Sequence, residues 1–234
     1  MKQIALILLS LLLVACSGGI DPVEPPSELT GFKPELRLLP NWSQSVGNGS
    51  GGKYLRLQPL LDGEQIVVAD HFGLVRAFDA VNGERLWQMD LGRTINAGAG
   101  YAEGVLLFGG DAEVFAIERS SGRLRWSQEI SSEVLAAPVA EGDTIVVHAV
   151  DGSISALNRH DGAILWRHHE NVPSLTLRGT SRPLIVNGSR VVVGGAAGQV
   201  VALELQSGNL LWSSAVATAR GRTDLERMVD VDAE

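Results

Sequence analysis

Four eleven-residue segments of the chain align without a gap: AFDAVNGERLW (77–87), AIERSSGRLRW (116–126), ALNRHDGAILW (156–166) and ALELQSGNLLW (202–212). Each opens on Ala followed by an apolar residue, and each places Trp four residues after Gly. The tryptophans Trp87, Trp126, Trp166 and Trp212 are spaced by 39, 40 and 46 residues. A period of this size belongs to stacked units that bury their apolar faces against one another. Within the units, short runs of Val, Ile and Leu alternate with glycine turns. Gln65–Ala69 is followed by Phe72-Gly73 and Leu74–Phe78. Thr144–Ala149 is followed by Asp151-Gly152 and Ser153–Leu157, and Arg190–Gly194 by Gly198 and Gln199–Leu203. Such runs are strand signals. Asn82-Gly83, Ser121-Gly122, Asp161-Gly162 and Ser207-Gly208 suit tight hairpins, because glycine accepts the positive φ that other residues resist. The expected fold is all-β, a β-propeller whose units are blades of about four antiparallel strands.

The tryptophans have a packing role in this scheme. An aromatic ring buries roughly 150–250 Å², and a Trp at a fixed place on the last strand fills the gap between neighbouring blades. Trp42, in Leu39-Pro40-Asn41-Trp42-Ser43, resembles a fifth member of the series without a blade in front of it. Its strand is expected to belong to a last blade whose other strands lie beyond Glu234. The chain is therefore expected to be a fragment with about four blades.

The N-terminus adds an address. Lys2 precedes an apolar run from Ile4 to Leu13, too short for the roughly 20 residues that span a bilayer. It reads as the core of a signal peptide covering residues 1–15. The run ends in Leu13-Val14-Ala15-Cys16, which resembles a bacterial lipobox and marks Cys16, the only cysteine, as the lipidation site. Ser17 follows it, and by resemblance to such lipoproteins favours the outer membrane over retention at the inner one. Residues 16–35 contain Pro22, Pro25, Pro26 and Pro34; they read as an extended tether, with the propeller domain over 36–234. A net charge of −8 excludes the basic stripe that nucleic acid requires.

The blade repeat, the lipobox, the SLTLRG stretch (174–179) and the RGRTDLERMVDVD stretch (220–232) together resemble the quinoprotein-dehydrogenase-like propellers. Within that superfamily they resemble the BamB family of outer-membrane assembly lipoproteins. The resemblance implies an eight-bladed ring and a non-catalytic subunit of the Bam complex, which folds and inserts outer-membrane proteins. It implies docking on the periplasmic POTRA domains of BamA through two loops, one carrying Leu175, Leu177 and Arg178, the other Asp230 and Asp232. Unfolded outer-membrane proteins are the further partners it suggests. The residues alone leave two readings open. Arg167–Arg182 and Thr218–Val229 interrupt the repeat, and an apolar pair beside an arginine has the composition of a docking spot. Equally, Leu175 and Leu177 suit a strand core and the aspartates suit turn caps.

The alternative is a quinone- and calcium-binding propeller of the periplasmic dehydrogenase type. By resemblance it requires calcium ligands on the axis and commonly a cysteine pair, and Cys16 stands alone. No catalytic residue, metal or cofactor is expected. His168-His169 reads as a solvated loop pair, since neighbours on a strand point to opposite faces. His71, His148 and His160 are isolated, and GNGSGGK (47–53) reads as a turn without the ending of a phosphate loop.

Overall fold

The computed structural model describes residues 31, 36, 38–173, 176, 180–218, 220, 223, 228–229 and 231. The chain divides into two units, Met1–Leu39 and Pro40–Glu234. Cys16 lies outside the described residues. All sheets belong to the second unit.

The first blade is formed by β1 (Leu60–Asp62), β2 (Gln65–Ala69), β3 (Leu74–Asp79) and β4 (Arg85–Asp90). The second consists of β5 (Ala97–Ala102), β6 (Val105–Gly109), β7 (Glu113–Glu118) and β8 (Leu124–Glu129). The third consists of β9 (Val139–Glu141), β10 (Thr144–His148), β11 (Ser153–Asn158) and β12 (Ile164–His169). The fourth consists of β13 (Leu184–Val186), β14 (Arg190–Gly194), β15 (Gln199–Glu204) and β16 (Leu210–Ala215). Each sheet is an antiparallel meander in chain order. The first strands lie side by side, β1 against β5, β5 against β9 and β9 against β13. The fourth strands form the outer edges.

The core lies between the blades. Leu106 and Phe108 of β6 pack with Val67 and Val75 of the first blade, whereas Val105 and Leu107 pack with Ile145 and Val147 of the third. Alternate residues of one strand thus serve two interfaces, which explains why β6 reads as an unbroken apolar run. The outer strand β8, LRWSQE, carries charge and is mostly exposed.

A single arrangement joins blade to blade. The indole N–H of Trp87 donates to Arg119 O at 3.0 Å, that of Trp126 to Arg159 O at 2.9 Å and that of Trp166 to Leu205 O at 2.8 Å. In every case the acceptor lies three residues before the hairpin glycine of the next blade. A Cβ on Gly122, Gly162 or Gly208 would come within 2.4, 2.6 or 2.5 Å of the facing indole, and all three glycines have φ between +70° and +76°. Glycine is required there both by the backbone and by the ring lying on it. The motif's Ala has a matching cause. Ala77, Ala116, Ala156 and Ala202 pair across the ladder with Trp87, Trp126, Trp166 and Trp212, at a bulge repeated in all four sheets.

Two expectations change. The described chain around Trp42 forms no strand. Trp42 nevertheless sits on the first blade, donating to Ala80 O at 3.1 Å, with its indole over Gly83. The backbone of this segment bonds to side chains and turns instead of a ladder. Ser45 O accepts from Arg76 Nη1 at 2.7 Å, and Gly49 O accepts from His71 N at 2.9 Å. The second change concerns His168 and His169, which lie on β12 opposite Ile154 and Ser153, not in a loop. The first long connection therefore starts at Glu170.

Candidate functional site

The turns between second and third strands and the connections from each fourth strand to the next blade share one end of the sheets, as the meander requires. Each connection leaves in the same way: Leu91 N donates to Gly73 O, Ile130 N to Ala112 O, Glu170 N to Gly152 O and Val216 N to Gly198 O, at 2.9–3.0 Å. The first two connections, 91–96 and 130–138, are short. They touch back on the blade they have just left, where Ile95 N donates to His71 O and Val134 N to Gly110 O, both at 3.0 Å. Ile95 and Val134 each follow their Trp by eight residues, and both are fully buried.

The connection after the fourth blade returns to the same anchor by a longer route. Val231 N donates to Gly195 O at 3.1 Å. A Cβ on Gly194 would lie 2.6 Å from Val231 Cγ1, as one on Gly109 would lie 2.5 Å from Val134 Cγ1. Val231 thus takes the place of Val134, but nineteen residues after its Trp instead of eight. The inserted residues thus lie between two fixed points of the chain. Val231 escaped the sequence reading; its signal was an apolar residue at a constant distance after Trp, which the insertion hides.

The connection between the third and fourth blades, 170–183, is the other long one. Its return is fixed by Ser181, whose hydroxyl donates to Gly194 O at 2.8 Å and accepts from Gly194 N at 2.7 Å. Ser181 O accepts from the Nδ1–H of His148 at 3.2 Å. His148 is buried, and burial pushes its pKa below the ordinary histidine value, against the opposing effects of the Ser181 hydrogen bond and the Asp151 charge. The neutral imidazole is the form that fits. Leu175, Leu177, Arg178, Asp230 and Asp232 lie outside the described residues. The structure therefore places the two ends of the first loop and the return of the second, all at one end of the molecule.

The polar groups elsewhere at this end stabilise turns. Asn96, fully buried, donates from Nδ2 to Asp111 Oδ1 at 2.8 Å and to Glu133 Oε1 at 3.0 Å. The Asn96 hydrogen bond is the main cause holding the Asp111 carboxyl below its usual value. Arg93 lies 6.0 Å over the Phe115 ring and pairs with Glu113. His168 Nε2 is 2.5 Å from Glu170 Oε1. Among the described residues, no group of three or more His, Cys, Asp or Glu side chains is gathered as for a metal ion. The opposite end holds ion pairs between blades, Arg119 with Asp62 and Arg159 with Glu103.

Residues 71–234 match the family described as "Outer membrane protein assembly factor BamB". The protein of that name from Pseudomonas aeruginosa is 40% identical over 232 residues, covering 99% of this chain and 61% of the relative. That from Yersinia pestis is 32% identical over 244 residues, covering 97% of this chain and 62% of the relative. The chain thus spans about 60% of the length of these curated relatives. Among solved structures, BamB from Moraxella catarrhalis superposes with a TM-score of 0.71 at 27% identity, over 75% of this chain and 53% of that one. A quinohemoprotein alcohol dehydrogenase from Comamonas testosteroni shares the fold alone, with a TM-score of 0.59 at 14% identity over 76% of this chain and 39% of that one.

Proposed function

The chain belongs to the BamB family of outer membrane protein assembly factors, and from that premise we propose that it is a non-catalytic scaffold subunit of the Bam complex. It docks on the periplasmic POTRA domains of BamA and aids the folding and insertion of outer-membrane proteins. The observation that carries this reading is the pair of long connections that flank the fourth blade at one end. Long connections held at their ends by a regular sheet are where partner-binding residues concentrate. Leu175 and Leu177 are the apolar anchors of the first loop, and Arg178 is the charged neighbour that orients the partner. In the second loop, Val231 turns its side chain onto Gly194. By the family resemblance, Asp230 and Asp232, on either side of that anchor in the sequence, are the docking residues of the second loop.

Cys16 carries the lipid that holds the protein at the periplasmic face of the outer membrane. Several acyl chains on one cysteine make the anchor stable where one would be marginal. Trp42, Trp87, Trp126, Trp166 and Trp212 are the blade-packing residues of the domain that the tether presents.

The test is a pull-down of the BamA periplasmic domains with the purified protein, comparing wild type with Arg178→Glu and with the double variant Leu175→Glu, Asp230→Arg. The wild type should bind and the variants should not, with melting curves unchanged. Binding that survives both substitutions overturns the docking site. A wild type that does not bind overturns the scaffold role.

A further inference from the structure

The four outer strands occupy equivalent places in their sheets but differ in charge. β4 (RLWQMD) carries Arg85 and Asp90, β8 (LRWSQE) carries Arg125 and Glu129, and β12 (ILWRHH) carries Arg167 and two histidines. β16 (LLWSSA) has no ionisable side chain, and the uncharged run extends from Leu205 to Ala219. β16 pairs only with β15, so the backbone groups along its other side have no strand partner among the described residues. Sheet edges are ordinarily guarded by charged side chains, because unpaired N–H and C=O groups are a template for another strand. Three of these edges are guarded and one is not.

We infer that β16, from Trp212 to Ala215, is a strand-accepting edge for an extended, uncharged segment with alternating apolar and polar residues. The occupant this chemistry fits is a membrane-spanning β-strand of an outer-membrane protein that has not yet folded; naming it rests on the assembly role proposed above. Such strands alternate lipid-facing apolar residues with lumen-facing polar ones over about ten residues. Backbone hydrogen bonds to the edge hold any sequence in register. The absence of charge on β16 leaves apolar alternate residues free of a desolvation penalty against a neighbouring ion. The bulge at Leu211 limits the usable edge to the residues after it, which favours a short, reversible pairing suited to hand-over.

The probe is a peptide of about ten residues of alternating valine and threonine with a polyethylene glycol tail for solubility. It is photo-crosslinked to protein carrying p-benzoylphenylalanine in place of Ser213 on β16 or of Ser127 on β8, the residue that follows Trp in each. Crosslinking is expected at 213 and not at 127. N-methylation of alternate peptide amides should weaken it by about tenfold or more, since each removes a backbone donor. Ser213→Lys, tested by competition with labelled peptide, should abolish binding without moving the melting curve; Ala215→Lys repeats the test if the first variant does not fold. Removing the charges of β8 with Arg125→Leu and Glu129→Ala should create crosslinking at 127. Equal crosslinking at both positions, indifference to N-methylation, or no product at 213 overturns the inference. The BamA pull-down separates the two readings. If it succeeds while 213 gives no product, only the strand-accepting edge falls; if both fail, the assembly role falls with it.

Discussion

The outer faces of the first and fourth blades contrast in how they are covered. On the first blade, Trp42 lies on Gly83 and Phe78, its indole centroid 6.4 Å from the Phe78 ring, and Gln44 and Ser45 bond to Gly83 and Arg76. Phe78 is accordingly buried. On the fourth blade, Leu210, Leu211 and Trp212 are each about half exposed, at 51, 47 and 47%. Trp212 keeps its place opposite Ala202, but no hairpin glycine faces it among the described residues. Among the described residues, the two blade faces thus differ in what covers them. The motif specifies a blade face that needs a neighbour, and a segment with no strand of its own supplies that neighbour for the first blade. It does so with the same two contacts a blade would use, an indole on glycine and an indole N–H on the carbonyl three residues before it.

Substitutions along the series grade this contrast. The largest loss is expected for Trp126→Ala, at the only one of the four repeat tryptophans that is buried, with 8% of it exposed. Removing it leaves a cavity between two blades at about 3–5 kcal/mol, read as a shift in the urea midpoint at constant slope. Trp42→Ala should cost about 2 kcal/mol, because the ring is half-buried and its segment is fixed by few other bonds. If it costs as much as Trp126→Ala, the arm is equivalent to a blade and the contrast fails.

A smaller, pH-dependent effect is expected at the junction of the third and fourth blades. His148 has a native pKa below its ordinary value of 6.5, so the unfolded chain takes up the proton first as pH falls. The junction's stability is fully present above that value and declines as pH drops below it, until the native imidazole also titrates. Denaturation between pH 7 and 5 should show this slope in wild type and a flatter one in His148→Gln, whose side chain still donates to Ser181 O. An unchanged slope assigns the dependence elsewhere. The smallest effect is expected for Trp212→Ala, about 1 kcal/mol, because about half of its ring is covered and no indole N–H bond is lost among the described residues. A loss near that of Trp126→Ala would mean that the fourth blade face is covered after all.

The repeat was legible because its residues act locally. Glycine at the hairpin, alanine beneath the ring and tryptophan on the fourth strand are each required by contacts that recur in every blade, so a period in the sequence records a period in space. The apolar run of β10 was legible for the same reason, since a strand buried on both faces carries no alternation. The candidate docking loops were visible only as breaks in the period. Their residues have no repeated environment against which to be compared, and the family resemblance, not the pattern, assigned their roles.

Other features depended on contacts between distant residues. Trp42 looked like a member of a strand because its neighbours resemble one. Its segment instead bonds to Asp70, His71 and Arg76, side chains and turns that only the folded first blade brings within reach. Val231 had no sequence signal of its own between Asp230 and Asp232, and it became an anchor because Gly194 leaves room for it. The four outer edges are equivalent by motif, and their backbone availability follows from sheet order, which no single strand encodes. The sequence by itself determined the unit, its turns and the ring that joins it to the next, since these rest on interactions repeated at a fixed spacing. Which blade face is covered and where the inserted loop returns to the sheet emerged in the folded chain alone, because both depend on which distant groups meet once the blades are stacked.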